Sequence, residues 1–251
     1  MPGLALPFTE FLQEIDAIRR LARKFIDRQS FEAVLPGYQS AVENLRDTPT
    51  QRVTKFEIPQ RDPIRTIVSR GASEPSGKGP DVFATVSSVW EVKRVPSQPA
   101  SRPSDEFVVV GQASTKVRVF QDREEGDVEI AMWRMEIGDD ASPGCHFHVH
   151  ACGQDDEPPF PKYLPVPRLP SLLFTPATVL EYVLGELFQD DWQKAILEGE
   201  QGVVNRWQPV QHRWLHRLLH WHLESMDEGP SPWLAIKRTK PRRDLFTASK
   251  T

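Results

Sequence analysis

Cysteine is scarce in this chain, where only Cys145 and Cys152 occur among 251 residues. Residues an odd number of positions apart on one strand face opposite sides, which excludes a disulfide between these two. The sequence also lacks the run of about 20 apolar residues that a membrane-spanning helix needs. It has no N-terminal basic segment followed by an apolar core, so it shows no secretion signal. These absences predict a cytoplasmic protein that does not enter a membrane.

Several common catalytic motifs are missing as well. The chain has no Gly-rich phosphate loop, no GxSxG motif and no CxxC pair, which excludes nucleotide and hydrolase folds built on those motifs. Its 31 basic and 35 acidic residues give a formal net charge of −4 and a pI near 6.0. The overall charge therefore provides no general attraction to nucleic acid or to an anionic membrane.

The pattern of apolar residues predicts an α+β protein with one domain over residues 1–236. Helical periodicity predicts N-terminal helices within 8–46 and C-terminal helices within 175–226. Between them, β-branched segments over 52–152 predict a central antiparallel sheet of about six strands, because short links do not allow parallel crossovers. The basic segment 237–251 is expected to be a mobile tail.

Two helix starts can be predicted in the C-terminal part. Thr175 followed by Pro176 has the composition of an N-cap and a first helical position. Pro209 is expected to begin the last strong helix, Pro209–Met226, because proline is tolerated in a first turn.

Histidine is confined to two short clusters, and each cluster has the spacing of the element on which it lies. Along a strand, side chains alternate between faces, so His146, His148, His150 and Cys152 would line one face. The remaining histidines have the spacing of a helix face, and they are His212, His216, His220 and His222.

Three interpretations of the strand cluster are open. The strand can be a half-exposed polar face without chemistry. It can bind zinc through two strand histidines, such as His146 and His148, with Cys152, Glu136 or a helix histidine such as His216 as a further ligand. It can also carry out acid–base or nucleophilic chemistry on a phosphate group.

The segment His146-Phe147-His148-Val149-His150-Ala151-Cys152 resembles the signature of the histidine-triad superfamily. Members of that superfamily are nucleotide hydrolases and transferases built on an antiparallel sheet. The resemblance implies that His148 attacks a phosphate, that His146 and His150 support it, and that a nucleotide or RNA is the substrate. Arg134 and Arg168 are the candidates for holding phosphate oxygens, since arginine binds such groups through two parallel hydrogen bonds.

The helix cluster does not form a zinc-protease motif, because Arg213 follows His212 where those motifs have glutamate. Trp207, Trp214 and Trp221 recur every seven residues and predict a wide apolar face. The histidines would flank that face as packing residues, or the stripe would lie over the histidine strand and complete its site. In a non-catalytic binding or assembly protein, the Trp-lined helix and the proline-rich loop Pro96–Ser104 would be partner surfaces.

Overall fold

The computed structural model describes residues 3–49, 52–74, 76–95, 106–138, 145–152 and 169–247, and for 151–152 only the backbone. The described helices are α1 (Phe8–Leu21), α2 (Leu35–Asn44), α3 (Pro176–Glu198), α4 (Gln201–Met226) and α5 (Pro232–Arg238). The strands are β1 (Ala5–Pro7), β2 (Val53–Ile58), β3 (Ile64–Arg65), β4 (Val82–Val95), β5 (Glu106–Gln121), β6 (Val128–Ile137), β7 (Phe147–Cys152) and β8 (Leu169–Pro170). The predicted α+β class, with helices at both ends of the chain, is confirmed.

The sheet is antiparallel and has eight strands, of which six form the main order β2-β4-β5-β6-β7-β8. β1 pairs with β5 and β3 pairs with β4 beside this path. The two additional strands have three and two residues. Strands this short carry too little alternation to be recognised in a sequence.

The helices cover one face of the sheet. Phe11 on α1 meets three aromatic rings from β2, β4 and β5, with centroids 5.2 to 6.0 Å away, and they are Phe56, Trp90 and Phe107. Toward the opposite edge of the sheet and on the same face, Phe147 on β7 lies 5.6 Å from Trp221 on α4. These contacts place the hydrophobic core between the sheet and the helical layer.

The predicted start of α3 is confirmed in detail. The Thr175 side chain accepts a hydrogen bond from the backbone N–H of Thr178, and the Thr178 hydroxyl accepts one from the backbone N–H of Thr175. This reciprocal capping box satisfies two N–H groups that would otherwise lack partners at the helix end.

The predicted start of the last long helix is wrong, because α4 begins at Gln201 and Pro209 lies inside it. A proline within a helix removes one backbone hydrogen bond and is unfavourable by itself. Val203, Val204 and Trp207 are buried in the first two turns of α4. Their packing against the core offsets the cost of the proline, and this tertiary effect has no signature in local sequence.

Residues 237–247 were expected to belong to a mobile tail, whereas the structure packs them against the domain. The Arg243 carbonyl accepts a hydrogen bond of 2.8 Å from the backbone N–H of Ala5. Phe246 is 1% exposed and belongs to the core. Among the helices of the described ranges, none combines the length and apolar character that spanning a membrane requires.

Candidate metal centre

The register of β6 against β7 places four polar side chains together on the sheet face opposite the helices. Glu136 lies directly across from His148, and Arg134 lies directly across from His150. Because side chains alternate along both strands, all four project from the same face. Phe147, between two of these positions in sequence, projects into the core instead and is fully buried. The alternating pattern of the histidine segment thus separates a polar face from a core face.

Both histidines direct a ring nitrogen at the same carboxylate oxygen. Nε2 of His148 lies 3.2 Å and Nε2 of His150 lies 3.1 Å from Oε2 of Glu136. Nε of Arg134 lies 2.8 Å from the other carboxylate oxygen, Oε1. The cluster therefore has two imidazole nitrogens and one carboxylate oxygen at one point, with a guanidinium behind the carboxylate.

These interactions keep the Glu136 carboxyl ionised at neutral pH. Partial burial raises its pKa, but a hydrogen bond with His148 and the positive charge of Arg134 act in the opposite direction and prevail. The net result is a pKa below the usual value for glutamate. Glu136 thus offers an anionic oxygen at physiological pH.

Two of the three separations between the donor atoms match those of ligands around a tetrahedral zinc ion. Zinc binds imidazole nitrogen at about 2.0–2.1 Å, so that neighbouring ligands of a tetrahedral ion lie about 3.3 Å apart. The ring nitrogens of His150 and His148 lie 3.1 and 3.2 Å from Oε2 of Glu136. All three residues offer a ligand atom within 4.8 Å of the other two. Within the described ranges, Glu136, His148 and His150 form the one group of three or more His, Cys, Asp or Glu residues this close.

Two of the three predicted triad histidines belong to this cluster, and His146 does not. His146 precedes β7 in a bend, is 8% exposed, and has its ring 5.1 Å from that of Phe147. The predicted ligand Cys152 forms a backbone pair with Met132 on β6, and its side chain lies outside the described residues. Arg168, the second predicted phosphate ligand, lies outside the described residues too.

The helix histidines do not complete this cluster. Trp221 of α4 packs on Phe147, which lies on the core side of β7, so α4 and the two strand histidines are on opposite sides of the sheet. His216, the predicted helix ligand, is exposed and has its ring 6.2 Å from that of His220. The expectation that the helix stripe lies over the polar face of the histidine strand is therefore wrong.

The surface of α4 also differs from the expectation. Its three tryptophans are at most 7% exposed and belong to the core, whereas His212, His216 and His220 are exposed rather than flanking a core boundary. The expected partner surface of tryptophans is therefore absent from α4. The fourth histidine of this cluster, His222, is 7% exposed, and burial lowers its pKa. The other expected partner surface, Pro96–Ser104, lies outside the described residues.

Sequence reasoning missed two residues on β5 that share the polar face. Lys116 lies directly across from Arg134, and Ser114 lies directly across from Glu136. The segment 107–120 does alternate, but nothing local in it indicates which strand is its neighbour. Their place beside the cluster follows from strand order and register, which a single sequence does not specify.

Comparison with protein families, with curated proteins and with solved structures finds no match for this chain.

Proposed function

We propose that this protein is a zinc-dependent phosphoester hydrolase whose metal ligands are Glu136, His148 and His150. The observation that carries the proposal is the convergence of two imidazole nitrogens on one carboxylate oxygen. Two histidines and one carboxylate are a recurring ligand set of catalytic zinc sites. Such a set leaves a coordination position for water or substrate, and the bound ion supplies a nucleophilic water at neutral pH.

The burial of His148 favours a ligand role over a nucleophilic one. The residue is 1% exposed, and its Nε2 already faces the carboxylate. A nucleophilic histidine must bring the same nitrogen to phosphorus in a substrate that arrives from solvent. The histidine-triad resemblance implies instead that His148 attacks the phosphate directly. We propose this as the second candidate mechanism, after zinc-dependent hydrolysis, for the same substrate class.

The choice of a phosphoester rests on the cations beside the cluster. Arg134 and Lys116 are direct neighbours across β6 and β5, and they share the face of the ligand residues. Lys116 is partly exposed, with its Nζ 3.5 Å from the Gln60 side chain. Arginine and lysine are the side chains that hold the charged oxygens of phosphates, and a nucleotide or RNA presents such groups.

Removing either histidine ligand is expected to abolish stable zinc binding. Zinc content is measured by elemental analysis of protein purified without a histidine tag, and affinity by competition with a chelator. Removing a residue that only hydrogen-bonds to a metal ligand lowers metal affinity by about 10–100-fold. Removing a ligand itself, as in His148→Ala or His150→Ala, should therefore lower zinc affinity by more than that. His146→Ala and His216→Ala are matched controls, because these histidines lie outside the cluster, and they should retain wild-type affinity.

Zinc binding that survives the double substitution of His148 and His150 would contradict the metal centre. Absence of binding in the wild type would contradict it as well. The polar face would then be a metal-free hydrogen-bonded network, and the non-catalytic binding role would be the better account of the chain.

Loss of the neighbouring cations is expected to affect phosphoesters selectively. Lys116→Met, which leaves the contact between Arg134 and Glu136 intact, should lower kcat/KM for bis(4-nitrophenyl) phosphate by about 100-fold, because it removes a group placed to stabilise charge on the phosphate. Lys55→Met removes a cation on β2, on the same face but three strands from β6, and should have no effect. Hydrolysis of 4-nitrophenyl acetate, which lacks the charged oxygens, provides the reference reaction. Equal losses on both substrates would contradict the phosphate-binding role.

A further inference from the structure

A cavity of about 810 Å³ lies in the helical layer between α3, α4 and the segment before α3. Phe174 and Trp214 line it, with their rings 5.6 Å apart, and Phe174 packs on the core side of Phe147. The cavity is therefore separated by the sheet from the metal centre proposed above. Its volume falls within the range of about 300–1,000 Å³ that is typical of small-molecule sites.

Aromatic rings form much of the cavity wall. Trp192 and Tyr182 on α3 line it together with Trp207 and Trp214 on α4 and with Phe174. Trp192 and Trp207 are at most 4% exposed, whereas Tyr182 is 45% exposed and lies at the opening. The faces of aromatic rings carry partial negative charge and attract cations.

The charged groups of the wall have one sign. Glu181 and Glu186 line the cavity, and none of the described lining residues is lysine or arginine. The remaining titratable residue that can become positive is His212. An anionic ligand would therefore meet two carboxyl groups without a permanent counter-charge, while a cation would find both carboxylates and ring faces.

Among the residues that the structure describes, no cation stabilises the charge of the Glu181 carboxyl. Burial raises its pKa to about 7. The buried Glu14 on α1 provides a further carboxyl, whose pKa burial raises and the Glu181 carboxyl raises further. A bound cation would supply the counter-charge that this group lacks.

We propose that this cavity binds a small organic ammonium ion, with the charged nitrogen beside Glu181 and the organic part between the tryptophan rings. The inference does not depend on the proposed hydrolase activity, because the two sites lie on opposite sides of the sheet. A quaternary or substituted ammonium is the expected class, since a large aromatic wall selects alkylated over strongly hydrated cations.

Isothermal titration calorimetry with benzyltrimethylammonium at pH 8 tests the proposal on the full chain. We expect saturable binding to the wild type, and binding at least about tenfold weaker to Glu181→Gln, equivalent to about 1.4 kcal/mol. Glu198→Gln makes the same change at an exposed position on α3 outside the cavity, and it should bind like the wild type. Neopentylbenzene has the same shape without the charge, and it should compete poorly.

Dependence on pH distinguishes Glu181 from the titratable groups around it. Those groups are Glu14 from α1, Glu186 from α3 and His212 from α4, while Glu10 of α1 is paired with Arg213. Cation affinity should rise as pH increases through about 7, because Glu181 then ionises. This rise should persist in His212→Gln and disappear in Glu181→Gln.

A second variant tests the opening of the cavity. Leu215 lines it, is 42% exposed, and tolerates a polar substitution because it is outside the core. Leu215→Lys places a positive charge at the opening and should weaken cation binding without unfolding the protein. The proposal is overturned by absence of saturable cation binding, by equal affinity for the neutral isostere, or by unchanged affinity in both Glu181→Gln and Leu215→Lys.

Discussion

Replacing Phe246 by alanine is expected to lower the free energy of unfolding by about 3–5 kcal/mol, the usual cost of removing a buried aromatic side chain. The Phe246 ring stacks on Phe174 with centroids 4.6 Å apart, and it also lies 5.7 Å from Trp214 and 6.2 Å from Phe147. The backbone carbonyl of Phe246 accepts a hydrogen bond from Arg217 on α4. The Phe246 side chain thus packs between β7, α4 and the segment that precedes α3.

Urea or thermal unfolding monitored by circular dichroism measures this change. Trp233→Ala is the matched control, because Trp233 is a larger aromatic residue in the same part of the chain but is 76% exposed. Its removal should change stability by no more than about 0.5 kcal/mol. Similar stabilities for Phe246→Ala and the wild type would mean that the segment does not pack as described.

Short stretches of sequence were sufficient to predict elements that are specified by their own residues. Thr175 and Pro176 mark the start of α3, and alternating β-branched residues mark β4 and β5. The misplaced start of α4 and the packed position of Phe246 have another origin. Pro209 is tolerated because buried neighbours offset its cost, and Phe246 is held by residues far away in sequence. The sequence around Phe246 would be the same whether this side chain packs in the core or remains exposed, so it does not predict the packing.

In the candidate site, too, some features follow from local sequence and others from the way distant segments pack. Alternation predicted that His148 and His150 share a face, and Glu136 was one of the predicted further ligands. The exact pairing of Glu136 with His148 depends on register, and the inclusion of Lys116 depends on strand order. His146 has the correct alternation but precedes β7, so periodicity alone predicted one histidine too many in the cluster. The helix histidines were misplaced because a sequence does not state which face of a sheet a helix covers.

Glu14→Gln is expected to stabilise the protein at pH 8 and to weaken the dependence of its stability on pH. Glu14 lies on α1 and is fully buried. The Gln211 side chain donates a hydrogen bond of 2.5 Å to its Oε1, while Oε2 has no partner among the described residues. Burial raises the Glu14 pKa well above its usual value, and the nearby carboxyl groups of Glu181 and Glu10 add to this effect.

The direction of the pH effect follows from proton binding in the two states. In the unfolded chain the Glu14 carboxyl titrates near its ordinary value of 4.5, whereas the folded protein retains the proton to higher pH. Above pH 4.5 the folded state therefore binds more protons than the unfolded state, so stability falls as pH rises toward the folded pKa. The contribution is fully present only below about pH 4.5.

Glutamine has nearly the shape of a protonated glutamic acid and cannot ionise. Glu14→Gln should therefore match the wild type near pH 4 and exceed it at pH 8 by at least about 1.4 kcal/mol, the free energy that corresponds to a pKa difference of one unit between the folded and unfolded states. Urea unfolding at several pH values gives this comparison, with the exposed Glu198→Gln as control. A remaining decline between pH 4.5 and 7 in Glu14→Gln belongs to Glu181, whose pKa is raised to about 7 by burial. Parallel pH profiles for Glu14→Gln and the wild type would contradict this prediction, because they would show that the Glu14 carboxyl titrates alike in the folded and unfolded states.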